Sequence, residues 1–136
     1  MNTPDHLKYS KEHEWLSLTG EQTDDGFDIA VIGITDFAQG ELGELVYVEV
    51  DTVGEDVAKD DVFGTLEAVK TTSDLFMPIS GRVLEFNDEL NEDEGDNPGV
   101  INSDPYGAGW IVKLAVTQPD EMSGLMDSAG YGALIG

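Results

Sequence analysis

The chain has 136 residues, and its 29 acidic side chains against six basic ones give a formal net charge of -23. That length fits one domain with its own core, while such a surface repels phosphate backbones and anionic lipid, so nucleic acid and membrane are poor partners. Zero cysteines exclude disulfides, thiolate metal sites and cysteine nucleophiles. No apolar run approaches a membrane span, and the N-terminus shows neither a basic start followed by an apolar stretch nor an arginine-rich one. The expected location is therefore the cytoplasm. Self-repulsion on this scale suggests a salt-rich, halophilic setting, where a Debye length of about 3 Å at 1 M screens it. A merely solvated acidic surface is the plainer alternative.

In chain order, residues 14–18 and 27–32 read as strands. Thr35 is placed to cap a short helix through Phe37, Ala38 and Leu42. Residues 45–50 (LVYVEV) are β-branched and aromatic, which suits a pleated surface. Further strands are expected over 61–69, 75–78, 81–86 and 110–116. Turn chemistry separates them at Gly54-Glu55, Ser80-Gly81, Asn97-Pro98-Gly99 and Asp104-Pro105-Tyr106-Gly107. Asn97 followed by Pro98 reads as an N-cap and first residue of a single helical turn. A C-terminal helix is expected over about 119–134. Pro119 starts it, Asp120 and Glu121 complement the positive dipole end, and Met122, Leu125, Met126 and Ala129 recur on one face. Gly124, Gly130 and Gly132 weaken it, so its far end should fray. Short strands at this spacing predict a mostly β fold, a sandwich or barrel, within a single domain over 1–136. A faint internal echo relates Gly54-Glu55-Asp56-Val57 to Gly81-Arg82-Val83.

The segment GTLEAVKTTSDLFMPISG (64–81) places Lys70 at or beside the tip of a hairpin, among small or β-branched neutral residues. A modifying enzyme must reach around the amine, so a protruding, rigid tip suits covalent attachment. Acylation would turn a hydrated ammonium into a neutral amide on a long stem, and tethering would make later encounters partly intramolecular. Spacing alone, however, favours an ordinary exposed turn lysine. His6 and His13 are too few to suggest a metal site, and no serine–histidine constellation or phosphate-cradling glycine loop appears, so no catalytic residue and no metal are expected. Trp15, Trp110 and Phe37 read as core or hairpin-packing residues.

From His13-Glu14-Trp15, through GITDFAQGELGELVYVEV (33–50) and the lysine segment, to NPGVINSDPYGAGWIVKL (97–114), the sequence resembles the glycine cleavage system H protein family. The likeness runs in order over nearly the whole chain. It implies a barrel-sandwich hybrid, the antiparallel lipoyl/biotinyl-like architecture, with short helices and a C-terminal helix. It implies lipoic acid as the cofactor, joined covalently as N6-lipoyllysine at Lys70 within Glu67-Ala68-Val69-Lys70. The implied role is a shuttle and not an enzyme. Glycine decarboxylase would load an aminomethyl group on a lipoyl sulfur, aminomethyltransferase would release ammonia and pass the one-carbon unit to tetrahydrofolate, and dihydrolipoamide dehydrogenase would reoxidise the dithiol. A lipoate ligase or lipoyl transferase would attach the cofactor.

The aminomethyl species is a cationic amine, and a carboxylate cleft that excludes water would hold it. By correspondence with the family, Glu14 and Asp74 are the candidates, with plain solvated acids as the alternative. Glu12 stands where the family often has serine, and either tightens amine binding or only enlarges the acidic surface. Glu67 is assigned to ligase or partner recognition, with a structural role equally open. Asp60 replaces a usual turn glycine, and aspartate tolerates left-handed geometry better than most residues. Biotin carriers, which typically flank their lysine with methionine, fit Val69 and Thr71 poorly. Lipoyl domains of 2-oxoacid dehydrogenases, with aspartate before the lysine, fit no better. An H-like protein that stores or relays lipoyl groups to other enzymes stays open.

Overall fold

The computed structural model describes residues 3–136, and most of its longer strands form where apolar and β-branched side chains gather between turn residues. In chain order they are β1 (Lys8–Tyr9), β2 (Glu14–Gln22), β3 (Asp28–Ile34), β4 (Leu45–Glu49), β5 (Asp56–Val57), β6 (Val62–Ala68), β7 (Thr72–Phe76), β8 (Gly81–Phe86) and β9 (Val112–Val116). Three helices accompany them: α1 (Asp36–Leu42), α2 (Gly99–Ser103) and α3 (Ser128–Ile135). A six-stranded sheet has the order β1-β2-β3-β9-β8-β5, and a three-stranded sheet has the order β4-β6-β7. Every pairing is antiparallel. This is the barrel-sandwich architecture expected from the sequence.

The core lies where inward residues of the two sheets meet. Leu16, Ile32 and Leu114 of the larger sheet join Val48, Phe63, Leu66 and Leu75 of the smaller one in a single buried cluster. A second cluster gathers Leu7, Tyr9, Trp15 and Tyr131, with Tyr9 and Tyr131 stacked at 4.7 Å between ring centroids. Burial of apolar surface at about 25 cal/mol per Å² is the main term holding both. Asp56 pairs with Arg82 and Val57 with Gly81 across β5 and β8.

One glycine is fixed by its neighbour. Gly33 pairs with Trp15 across β2 and β3, and a Cβ there would lie 2.6 Å from the indole. The ring cannot retreat, because it is buried and its Nε1–H donates to the Pro105 carbonyl at 2.9 Å. Gly33→Ala should therefore lower unfolding stability by about 1–3 kcal/mol, read as a reduced midpoint in urea.

Thr35 caps α1 as expected, its hydroxyl accepting from the Ala38 N–H at 3.2 Å. Asp60 adopts the left-handed conformation (φ +72°) anticipated for a residue at a glycine position. Two helical expectations need correction. Pro98, not Asn97, occupies the N-cap of α2; Asn97 contributes its backbone carbonyl to Val100 N–H and no side-chain cap forms. The continuous helix over 119–134 is broken into a 3-10 stretch, Pro119–Gly124, and α3. Between them Leu125 is extended and Met126 pairs with Tyr9, exchanging backbone hydrogen bonds at 2.8 Å each way. Asp127 then caps α3 through Gly130 N–H. A sheet edge with unpaired backbone groups thus outcompetes helix propagation through Gly124. Within α3 Tyr131 is wholly buried, whereas Ala129, Ala133 and Leu134 are exposed.

Candidate functional site

Strands β6 and β7 form the hairpin whose tip is residues 69–71, with Thr72 opposite Glu67 and Asp74 opposite Thr65. Ala68 N–H donates to the Thr71 carbonyl at 2.7 Å and closes the tip. Val69 N–H donates to the Glu44 carbonyl at 3.0 Å, which ties the tip to the chain just beyond α1. Lys70 is exposed there, and its neighbour Val69 is 67% exposed. A rigid backbone therefore presents one amine to solvent.

Beside this hairpin lies a cavity of about 420 Å³. One wall is α1, whose Phe37, Ala38, Glu41 and Leu42 share a helical face. The opposite wall is β7 with Ser73, Asp74 and Leu75, backed by Leu66 of β6. Glu12, His13, Glu14 and Ile34 complete it. Glu12 and His13 precede β2 in a turn, where His13 has φ +68°, its N–H donating to the Ser10 carbonyl and Thr35 N–H donating to its own carbonyl.

The structure thus brings Glu12, Glu14 and Asp74 to one cavity, and keeps Lys70 outside its lining. Asp74 lies four residues along β7 from Lys70, roughly 13 Å of strand at 3.3 Å per residue. Glu67 is not part of this group. It is exposed and paired with Tyr47, and it alternates with Leu66, which lines the cavity.

Glu14 is the unusual member. It is 2% exposed; its Oε1 accepts from Ser10 Oγ at 2.6 Å and its Oε2 from Phe76 N–H at 3.4 Å. Burial pushes its carboxyl up from the usual 4.5 to about 8, opposed by the Ser10 and Phe76 hydrogen bonds and reinforced by Glu12 and Asp60. Burial thus favours the neutral carboxyl over the carboxylate. A positive charge beside it would favour the carboxylate again.

The remaining lining was less visible in sequence. Phe37, expected to be a packing residue, instead forms cavity wall and tilts against His13 at 5.0 Å. Trp15 and Trp110 do pack, the first in the second core cluster and the second against it. His13, Glu41 and Ser73 carried no signal of their own. The 3.6-residue spacing of Phe37, Ala38, Glu41 and Leu42 was the one hint that α1 turns a mixed face to something.

An apolar-walled space of this size with several acids fits an alkyl arm that ends in a cation. Ile34, Phe37, Leu42, Leu66 and Leu75 would take the hydrocarbon part, and Glu12, Glu14, Glu41 and Asp74 the charge.

The family model described as Glycine cleavage H-protein matches residues 7–135. The chain is 51% identical over 136 residues to the glycine cleavage system H protein of Chlorobaculum parvum, covering 100% of this chain and 99% of that one. It is 44% identical over 135 residues to the glycine cleavage system H protein of Bacteroides fragilis, covering 99% and 98%. Among solved structures, the crystal structure of a glycine cleavage system H protein from Mycobacterium marinum superposes with a TM-score of 0.77 at 35% identity, covering 96% of each chain.

Proposed function

The chain belongs to the glycine cleavage H-protein family, and on that premise we propose that it is the lipoyl carrier of a glycine cleavage system, with lipoic acid joined to Lys70 as N6-lipoyllysine. The observation that carries the assignment is one exposed lysine on a backbone-tied hairpin tip, set beside a cavity that buries a carboxyl. When bound, the lipoyl group supplies a disulfide that takes up a one-carbon amine with two electrons. The chain's own residues do the holding. Lys70 fixes where the arm begins, and the apolar face of α1 with Leu66 and Leu75 shields its far end from water. Glu14 gives up its proton to solvent as the cationic cargo enters, and Asp74 and Glu12 add negative charge at the mouth. Phe76 N–H and Ser10 Oγ keep the Glu14 carboxylate oriented toward that cargo. Glu67, on the outer face of β6, is assigned to recognition by the lipoylating enzyme or a partner.

The partners that follow are glycine decarboxylase, aminomethyltransferase, dihydrolipoamide dehydrogenase and a lipoate ligase or lipoyl transferase. The lipoylated protein should support glycine–bicarbonate exchange by its decarboxylase at a rate saturating in carrier concentration. No exchange from fully lipoylated protein would point instead to storage or relay of lipoyl groups.

We further infer a salt-rich cytoplasm as the working environment. The net charge of -23 is supported by a single ion pair among the described residues, Arg82 with Asp25 at 3.7 Å. Unpaired acids repel one another over about 10 Å at 0.1 M salt and only about 3 Å at 1 M. The melting temperature should therefore climb steadily from 0.1 to 2 M KCl; a flat or falling curve would count against salt adaptation.

A further inference from the structure

Behind the cavity wall runs a chain of three side chains that joins α3 to the site. Tyr131 of α3, fully buried, places its hydroxyl 2.8 Å from His13 Nδ1 and 2.7 Å from Thr35 Oγ1. Thr35, also fully buried, accepts from Ala38 N–H at 3.2 Å. The direction of the hydrogens follows from satisfaction of donors. Thr35 has one hydroxyl hydrogen, and Tyr131 is its one hydroxyl partner among the described residues. If Tyr131 donated to Thr35, that hydrogen would be buried without an acceptor, which is costly. Thr35 therefore donates to Tyr131, and Tyr131 donates to His13 Nδ1. A neutral His13 must then carry its proton on Nε2. That nitrogen has no hydrogen bond to another protein group among the described residues, while the ring lines the cavity.

We propose that the buried Thr35–Tyr131 relay fixes His13 as the Nε2–H tautomer, and that this N–H is the cavity's hydrogen-bond donor to a lone-pair acceptor, such as an amide carbonyl, on the arm lying in it. The cavity then reads two ends of its occupant: acids meet the cation, and His13 meets a neutral acceptor along the stem. His13 is thereby a binding residue, and Tyr131 and Thr35 are positioning residues that act through it. His13 has a left-handed backbone (φ +68°) in the turn before β2, and its ring joins the cavity lining there. The packing of α3 gains a purpose as well. Its one fully buried side chain sets a tautomer at the site.

The inference rests on the cavity's role as a cargo site, and the two are separable by experiment. Long-range ¹⁵N correlation spectra of the histidine rings in the full chain at pH 8.5 should show His13 with a protonated Nε2 and an unprotonated Nδ1. Tyr131→Phe keeps the ring stacked on Tyr9 but removes the donor, and should give a mixture of tautomers. Thr35→Ser should keep the wild-type pattern and Thr35→Val should lose it, which provides a second route where Tyr131→Phe unfolds. A proton on Nδ1 in the wild type, or an unchanged pattern in both Tyr131→Phe and Thr35→Val, overturns the relay. Titration with lipoamide should shift the His13 Nε2–H resonance, and no shift overturns the donor role. Methylammonium, followed at the Glu14 and Asp74 carboxyl carbons, tests the cargo site by itself. Failure there with the tautomer intact removes the cargo reading; binding there with a scrambled tautomer removes only the relay.

Discussion

Lys70→Arg should yield a folded protein that gains no lipoyl mass and supports no one-carbon transfer. Arginine keeps the charge and nearly the length of lysine, but its guanidinium stays protonated at any accessible pH, so it offers no amine nucleophile for acylation. Folding should be untouched. The tip is held by backbone bonds, Ala68 N–H to the Thr71 carbonyl and Val69 N–H to that of Glu44, and an exposed side chain at residue 70 takes part in neither. Exchange with the decarboxylase should fall to the level without carrier, while the melting temperature stays within a degree or two of wild type. Retained exchange in this variant would remove Lys70 from the mechanism.

The second large effect is at Glu14, and its sign depends on pH. Its folded pKa, about 8, lies above the usual 4.5, so the folded state binds the extra proton between those values. The resulting stability is complete below about pH 4.5 and disappears as pH rises through about 8, at up to about 1.4 kcal/mol per unit. Glu14→Gln removes that dependence. The variant should match wild type near pH 5, apart from small changes in the Ser10 and Phe76 hydrogen bonds, and be more stable by about 2–4 kcal/mol at pH 9. Urea midpoints across this range check it, and parallel curves for the two proteins would contradict a buried, protonated Glu14. Function should move the other way. A neutral amide cannot form a charge-assisted hydrogen bond, which is typically about 1.5–3 kcal/mol. Amine carried by lipoylated Glu14→Gln should escape to water about tenfold faster or more, since each 1.4 kcal/mol is a factor of ten. The same substitution thus stabilises the fold and weakens the site, which is the pattern expected of a carboxyl kept for its cargo and not for folding.

The elements that packing dictates locally were legible in the sequence. Strands such as β4, β6 and β8 announce themselves through β-branched and aromatic residues between turn signals, and Thr35 announces α1 because capping is a contact three residues long. Asp60 was legible for a similar reason, as one backbone angle depends on one residue type. The C-terminal segment was misread because its competitor is remote in sequence. Met126 pairs with Tyr9, and Tyr131 stacks on that same residue, so the break between the 3-10 stretch and α3 is decided more than a hundred residues away. The cavity was legible only by family resemblance, which supplied Glu12, Glu14 and Asp74. Nothing in the spacing of three acids among 29 marks them as neighbours. Phe37 and His13 were missed on the same ground. Phe37 looks like any core aromatic until α1 is docked, and His13 joins the cavity lining from a turn with a left-handed backbone, tied to Ser10 and Thr35.

The proposal gives acidity two separate parts. Most of the 29 acids lie on the surface, where the proposed salt response would originate, whereas Glu14 is buried against the cavity proposed to hold the cargo. Substitutions in the first group should shift the KCl dependence of melting without altering cargo retention, and Glu14 should do the reverse.

The most direct measurement is peptide mapping by mass spectrometry on the protein purified from its own cells, grown where glycine is being degraded. The peptide spanning Glu67 to Asp74 should carry one lipoyl group, localised by fragmentation to the Lys70 side-chain nitrogen, with every other lysine unmodified. An unmodified Lys70, in cells whose other lipoyl proteins are fully loaded, would contradict the account.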